Sequence, residues 1–166
     1  DDLLGWLKEI DERINSKIIL VAVGGTAMTL LGLKPSTRDV DFCIDGKNSK
    51  LFKEAIKDSE FKVDLFQDGF IFSEQLPDDY IEKSNIIETE LINIDLRTLS
   101  LIDIIITKVA RYNERDEEDI VTIAKTNKVR KEDLRERFEQ VKETFAGRQE
   151  DYVYHFNLVL KRHFNT

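Results

Sequence analysis

A glycine pair lies directly after an apolar run near the start of the chain. Gly24, Gly25 and Thr26 follow the run "KIILVAV". Because glycine has no Cβ atom, a phosphate can approach its backbone closely, and the Thr26 hydroxyl adds one more hydrogen-bond donor. The pair matches neither the P-loop pattern nor the dinucleotide fingerprint, since the required lysine and third glycine are absent. The pattern indicates either a tight turn or a phosphate-binding turn.

Two aspartates, one residue apart, follow in an alternating segment. In "RDVDFCID" Asp39 and Asp41 share one face of a strand, about 7 Å apart along the chain. Oxygen ligands at this spacing suit Mg²⁺, which favours carboxylates together with substrate phosphates. Asp64, between Val63 and Leu65 in a strand expected beside this one, is the candidate third acid. The alternative is a solvated strand face, which a chain with 33 acidic residues can present by chance.

The elements expected to position these residues alternate between strands and helices. Ser49 is the expected N-cap of the helix between the two acidic strands. The region from Gln67 to Lys83 is expected to be loop with one short strand. The predicted strands are "KIILVAV", "RDVDFCID", "EFKVDLF" and "IIETELINIDL", the last a strand or a hairpin, and the predicted helices between them are "TAMTLLGL" and "SKLFKEAIKD".

Helical periodicity marks the N-terminus and the second half of the chain. Ser100 and Asp103 are expected to form a capping box. The predicted helices are "DLLGWLKEIDERI", "SLIDIIITKVARY", "DEEDIVTIAKT", "RKEDLRERFEQVKETF" and "QEDYVYHFNLVLKRHF". We therefore predict an α/β (α+β) fold with a small mixed sheet, flanking helices and a helical C-terminal half. The predicted division is a core of residues 1–125 and a helical extension, 126–166, packed on the same domain.

Composition narrows the classes of protein. The 166 residues are 41% hydrophobic and 35% charged, as in a globular protein, and no apolar run reaches membrane-spanning length. A single cysteine, Cys43, and the absence of a secretory signal lead us to expect a cytoplasmic protein with no membrane partner. The net charge of −8 opposes a general nucleic-acid coat protein.

Taken together, the motifs resemble the nucleotidyltransferase superfamily related to DNA polymerase beta. The matching elements are the glycine pair, the D-x-D strand and a third acid in "KVDLF". The later stretch "LSLIDIIITKVARYNERDEEDI" resembles the minimal and AbiEii-type nucleotidyltransferases, in which a lysine-bearing helix precedes an Arg-x-x-x-Asp-x-x-Asp run. The positions matching that run are Lys108, Arg111, Arg115, Asp116 and Asp119. The resemblance covers residues 18 to 123.

The resemblance implies a fold, a reaction and a set of site residues. The implied reaction transfers a nucleotide from an NTP, ATP among them, to a hydroxyl of an acceptor, with Mg²⁺ as cofactor. The acceptor could be a protein side chain, a tRNA end or a small molecule. A toxin role with a cognate antitoxin is also implied. The implied catalytic and metal-binding residues are Asp39, Asp41 and Asp64, and the implied nucleotide-binding residues are Gly24, Gly25, Thr26 and Lys108.

Alternative interpretations accompany each of these expectations. The same fold could be a catalytically silent binding or regulatory module, or a phosphohydrolase using the same acids. Lys108 could instead be a structural lysine near a helix C-terminus, and its apolar surroundings require it to be paired or to extend towards water. Arg38 could pair with an acid or bind phosphate. Cys43 is expected to be a packed small residue, since no histidine is near it in sequence.

Overall fold

The computed structural model of the chain describes residues 2–35 and 39–164. These residues form two compact units, each assembled from two separate segments. The first unit comprises Asp1–Asp68 and Ser84–Thr98, and the second comprises Gly69–Lys83 and Leu99–Thr166. The helices that follow residue 98 belong to the second unit.

The first unit holds the alternating elements expected from the sequence. The predicted first helix and the strands at both acidic motifs are confirmed. The predicted "IIETELINIDL" element is a hairpin of two strands, β6 (Asn85–Ile86) and β7 (Ile94–Thr98), which pair antiparallel. The elements of this unit are α1 (Asp2–Arg13), β1 (Ile18–Ala22), α2 (Gly24–Leu30), β2 (Asp39–Ile44), α3 (Gly46–Ala55), β3 (Lys62–Gln67), β6 (Asn85–Ile86) and β7 (Ile94–Thr98).

The strands of this unit form a mixed sheet in the order β3-β2-β1-β7-β6. β1 is antiparallel to β2 and parallel to β7, while β2 is parallel to β3. A central strand covered on both faces is expected to be apolar throughout, and Leu20, Val21 and Ala22 of β1 are all buried. The predicted mixed α/β fold is confirmed.

A buried aspartate ties α1 to the start of β7. Asp11 accepts hydrogen bonds from the backbone N–H groups of Ile92, Asn93 and Ile94, at 2.8 to 2.9 Å. Burial raises the pKa of Asp11, but the three donors outweigh it and hold that pKa below its ordinary value. No local sequence pattern indicates this contact, because the partners lie 81 to 83 residues apart.

The N-cap predicted for α3 is wrong. Asp45, not Ser49, caps the helix, and its carboxylate accepts from the backbone N–H of Asn48 at 2.8 Å. Ser49 is buried one turn inside the helix, where its hydroxyl accepts from the Gln67 side chain at 3.0 Å. Both residue types cap helices well, so sequence alone could not choose between them.

The second unit is mainly helical. The region expected to be loop with one short strand instead contains a two-stranded hairpin, β4 (Phe70–Ile71) and β5 (Glu74–Gln75), followed by a 3₁₀ turn, Asp78–Tyr80. No helix in the described part of the chain combines the length and apolar character needed to cross a membrane. The remaining elements of this unit are β4 (Phe70–Ile71), β5 (Glu74–Gln75), α4 (Leu101–Arg111), α5 (Glu114–Ala124), α6 (Lys131–Val141), the 3₁₀ turn Lys142–Thr144 and α7 (Gln149–His163).

The capping box predicted at the start of α4 is only half correct. The Ser100 hydroxyl does accept from the Asp103 backbone N–H at 3.1 Å. The Asp103 carboxylate, however, forms two hydrogen bonds with the Arg137 guanidinium of α6, at 2.7 and 2.9 Å. Arg137 also contacts Asp79 at 2.9 Å. A tertiary ion pair has therefore replaced the local interaction that the sequence suggested.

Glu74 connects the β4–β5 hairpin to the segment between α6 and α7. Its side chain is fully buried and accepts from the Thr144 hydroxyl at 2.6 Å, while its second carboxyl oxygen has no hydrogen-bond partner among the described residues. A backbone bridge to Phe145 joins the same two segments. Burial raises the pKa of Glu74 more than its hydrogen bonds lower it.

The Glu74→Gln variant is expected to make stability less sensitive to pH. A carboxyl whose pKa is raised by folding stabilises the fold fully below its unfolded pKa, and this contribution is lost as pH rises through the folded value. Glutamine keeps the shape without the charge, so the variant should gain on the order of 1 kcal/mol at pH 8. Urea denaturation at pH 4 and pH 8 measures this difference. An equal effect at both pH values would contradict the expectation.

Candidate active site

The three acids predicted from separate stretches lie on one face of two neighbouring strands. β2 and β3 are parallel, and Asp41 is the direct register partner of Asp64. Asp39 is two residues before Asp41, and side chains two residues apart on a strand share a face. Asp39 and Asp64 are exposed and Asp41 is half-buried. The alternate side chains of β2, those of Val40 and Phe42, are buried in the core.

The start of α2 is hydrogen-bonded to β2 at Asp41. The Val23 backbone N–H donates to the Asp41 carbonyl at 3.0 Å. The Thr26 hydroxyl accepts from the Asp41 backbone N–H at 2.8 Å, and the Thr26 side chain is buried. Thr26 therefore fixes the helix against the acidic strand, a positioning role that the sequence did not indicate. Because its oxygen already accepts this hydrogen bond, the Thr26 hydroxyl could bind a phosphate only by donating its proton.

The two glycines have different conformational requirements. The glycine pair lies inside the first turn of α2, earlier than the helix start predicted at Thr26, and Val23 at the N-cap contributes no side-chain hydrogen bond. Gly24 has φ = +53°, where other residues are strained, while Gly25 does not have a positive φ. A Cβ atom on Gly25 would lie 3.8 Å from Lys34 Nζ, which is an ordinary contact. Gly24 thus serves the turn, and Gly25 leaves space beneath a lysine ammonium.

The face that carries Asp39, Asp41 and Asp64, called the acidic face below, has ligands of the kind that Mg²⁺ prefers. Three carboxylates offer only oxygen ligands, two of them at exposed strand positions and that of Asp41 at a half-buried one. Across residues 2–35 and 39–164, no three His, Cys, Asp or Glu side chains converge closely enough to hold a metal ion by themselves. A nucleotide would have to supply some of the ligands, which is how Mg²⁺ is commonly held in phosphate-transfer sites.

Lys108 lies in a buried ion-pair cluster of the second unit. Its side chain has no exposed surface, and Nζ lies 2.8 Å from Asp119 and 3.6 Å from Asp116. Of the two alternatives expected for this lysine, pairing or extension towards water, the structure shows pairing. With its ammonium enclosed by two carboxylates, Lys108 could reach a phosphate only if this cluster opened.

Asp116 is the centre of that cluster. Its carboxylate accepts two hydrogen bonds from the Arg111 guanidinium, at 2.9 and 2.6 Å, and one from the Asn113 backbone N–H at 2.9 Å. The Asn113 side chain in turn accepts from the Asp116 backbone N–H, which completes a capping box on α5. The Lys-Arg-Asp-Asp pattern, formed by Lys108, Arg111, Asp116 and Asp119, thus joins α4 to α5.

The other residues noted in the sequence, three arginines and Cys43, add less to the candidate site. The Arg111 guanidinium also lies 4.0 Å from the centre of the Phe72 ring. Arg115 is exposed on α5. Arg38 lies outside the described residues. Cys43 is fully buried, as predicted.

Two lysines near the acidic face were missed by the sequence reasoning. Lys34 lies close to Gly25, as described above, and Lys62 is the direct register partner of Asp39 on β3. Lys62 is two residues before Asp64, so a strand periodicity of two could have indicated that these side chains share a face. The position of Lys34 depends on how the chain returns after α2, which no local pattern specifies.

Substitutions at the two glycines should affect different properties, stability at Gly24 and NTP binding at Gly25. Gly24→Ala should cost about 1–2 kcal/mol of stability, because it forces a side chain into the left-handed region. Gly25→Val should change stability by less than about 1 kcal/mol, yet weaken NTP binding at least tenfold by filling the approach beside Lys34. Urea denaturation and calorimetric titration with a non-hydrolysable NTP measure the two effects. Normal NTP binding by Gly25→Val would show that this glycine does not serve the ligand.

Comparison with known proteins identifies the family. A solved structure from Thermotoga maritima, provisionally described as a nucleotidyltransferase, aligns with 60% of this chain and 78% of its own, at 17% identity and a TM-score of 0.44. No curated protein matches the sequence. A family model described as "Nucleotidyltransferase of unknown function (DUF6036)" matches residues 2–165. The chain therefore belongs to this nucleotidyltransferase family.

Proposed function

We propose that the protein is a Mg²⁺-dependent nucleotidyltransferase that moves a nucleotide from an NTP to a hydroxyl of an acceptor. The observation that carries this proposal is the register of β2 and β3, which pairs Asp41 with Asp64 and puts Asp39 on the same face. The family described above supports the same reaction class. The glycine turn of α2, hydrogen-bonded to the acidic strand, supplies a phosphate-binding backbone beside the acids.

The chain's own residues have distinct roles in this reaction. The backbone N–H groups at Gly24 and Gly25 bind the β- and γ-phosphates, and Lys34 adds a positive charge there. Asp39 and Asp41 hold the metal, which when bound neutralises charge on the triphosphate and the leaving pyrophosphate. Asp64 accepts the proton of the acceptor hydroxyl.

The bond changes balance without any further reactant. The acceptor oxygen forms a bond to the α-phosphorus, and the bond from that phosphorus to the bridging oxygen of the β-phosphate breaks. Pyrophosphate leaves with the electron pair, and the hydroxyl proton passes to Asp64 and then to solvent. Because the displacement is in line, the acceptor enters on the side opposite the phosphates held at the glycine turn.

A transfer assay tests the function directly. Wild-type protein is incubated with NTPs labelled on the α-phosphate, Mg²⁺ and cell extract, and the label is followed into protein, tRNA and small-molecule fractions. We expect one fraction to be labelled by the wild type and not by Asp41→Asn. Label that appears equally with the variant, or in no fraction, would contradict the proposed activity.

A catalytically silent binding module is the second candidate. The observation that favours it is that the acids of the described residues do not converge into a metal site by themselves. Such a module should bind its partner equally well after loss of Asp39 and Asp41. Retained Mg²⁺-dependent nucleotide binding that disappears in Asp41→Asn would exclude it.

A further inference from the structure

Lys62 is a cation built into the acidic face. It pairs in register with Asp39 across the parallel β2–β3 ladder, and it precedes Asp64 by two residues. Neighbouring strands lie about 4.8 Å apart, so the Lys62 stem begins next to that of Asp39 on the same side of the sheet. Lys62, Asp39 and Asp64 are all exposed. Among the described residues, Lys62 therefore adds a positive charge to the face that carries Asp39, Asp41 and Asp64.

The ammonium affects a bare metal ion and a metal–nucleotide complex in opposite ways. A divalent cation arriving alone at Asp39 is repelled by the positive charge beside it. At about 6 Å in a water-like dielectric, a single and a double positive charge interact strongly enough to change affinity about three- to tenfold. A metal ion arriving with a triphosphate brings a net negative charge, which the same ammonium attracts.

We propose that Lys62 couples metal binding to nucleotide binding at this site. The inference rests on the proposed function, because it concerns the metal site of Asp39, Asp41 and Asp64. Lys62 weakens the binding of a divalent cation alone and strengthens the binding of the cation with an NTP. The site is thereby kept from holding a metal ion unproductively, and it selects a triphosphate that carries its own metal. This makes Lys62 a positioning residue for the metal–nucleotide complex.

The test measures Mn²⁺ affinity by electron paramagnetic resonance, with and without a non-hydrolysable ATP analogue. The variants are Lys62→Met, Lys62→Arg and a matched control, Lys50→Met, which changes an exposed lysine on α3. We expect Lys62→Met to bind Mn²⁺ alone about three- to tenfold more tightly and the Mn²⁺–analogue complex at least threefold more weakly. Lys62→Arg and Lys50→Met should stay within twofold of the wild type. Melting temperatures verify that each variant is folded.

The outcomes separate this inference from the proposed function. If Asp41→Asn loses Mn²⁺ binding while Lys62→Met behaves like the wild type, the coupling is wrong and the metal site stands. If Lys50→Met shifts both affinities as Lys62→Met does, the effect is general charge and the inference is again overturned. If the wild type and Asp41→Asn bind Mn²⁺ alike, the proposed metal site fails and the inference fails with it.

Discussion

The Asp41→Asn variant is expected to fold like the wild type and to lose at least 100-fold of nucleotidyl transfer. Asparagine has nearly the same shape, and the backbone contacts of residue 41 with Thr26 and Val23 do not depend on its side chain. The variant lacks the negative charge that would hold the metal beside Asp64. Since charge stabilisation dominates phosphate transfer, removing one metal ligand should cost at least 3 kcal/mol, or roughly 100-fold or more in rate.

Thermal stabilisation by nucleotide gives a measurement that needs no acceptor. A ligand at 100 times its Kd stabilises the folded wild type by about 2.7 kcal/mol. With Mg²⁺ and a non-hydrolysable NTP, the melting temperature of the wild type should rise and that of Asp41→Asn should not. Asp58→Asn, at an exposed acid of the same unit, serves as the control and should respond like the wild type. An unchanged response in Asp41→Asn would remove this residue from the site.

The Asp116→Ala variant is expected to lose about 3–5 kcal/mol of stability. Asp116 is fully buried, and its carboxylate contacts Arg111, Lys108 and the Asn113 backbone. Removing it leaves buried positive charge undercompensated and opens the capping box of α5, and breaking a buried ion pair has a cost of this size. Urea denaturation measures the change in the free energy of unfolding.

A matched exposed acid on the same helix provides the comparison. Glu118→Ala should change stability by no more than about 0.5 kcal/mol, because surface substitutions usually have small effects. A similar small loss in Asp116→Ala would show that the cluster does not stabilise the junction of α4 and α5. The expected difference would place the Lys-Arg-Asp-Asp pattern among the structural features of the fold.

Much of the candidate site could be predicted from short-range patterns. The alternation of "RDVDFCID" determined that Asp39 and Asp41 share a face, because a strand has a period of two. The isolated acid in "FKVDLF" indicated Asp64, and the mixed α/β fold followed from the order of strand and helix patterns. These features depend only on neighbouring residues, so one sequence was enough to define them.

Tertiary structure decided how those residues are used. Only the parallel register of β2 and β3 shows that Asp41 faces Asp64 and that Lys62 lies beside Asp39. The Asp103 carboxylate was expected to complete a capping box with Ser100, yet it binds Arg137, 34 residues later. Lys108 matched a nucleotide-binding motif, but its ammonium is buried with Asp116 and Asp119. The partners of Asp103 and Lys108 depend on the tertiary fold, because a buried charge is stable only where the fold places an opposite charge beside it.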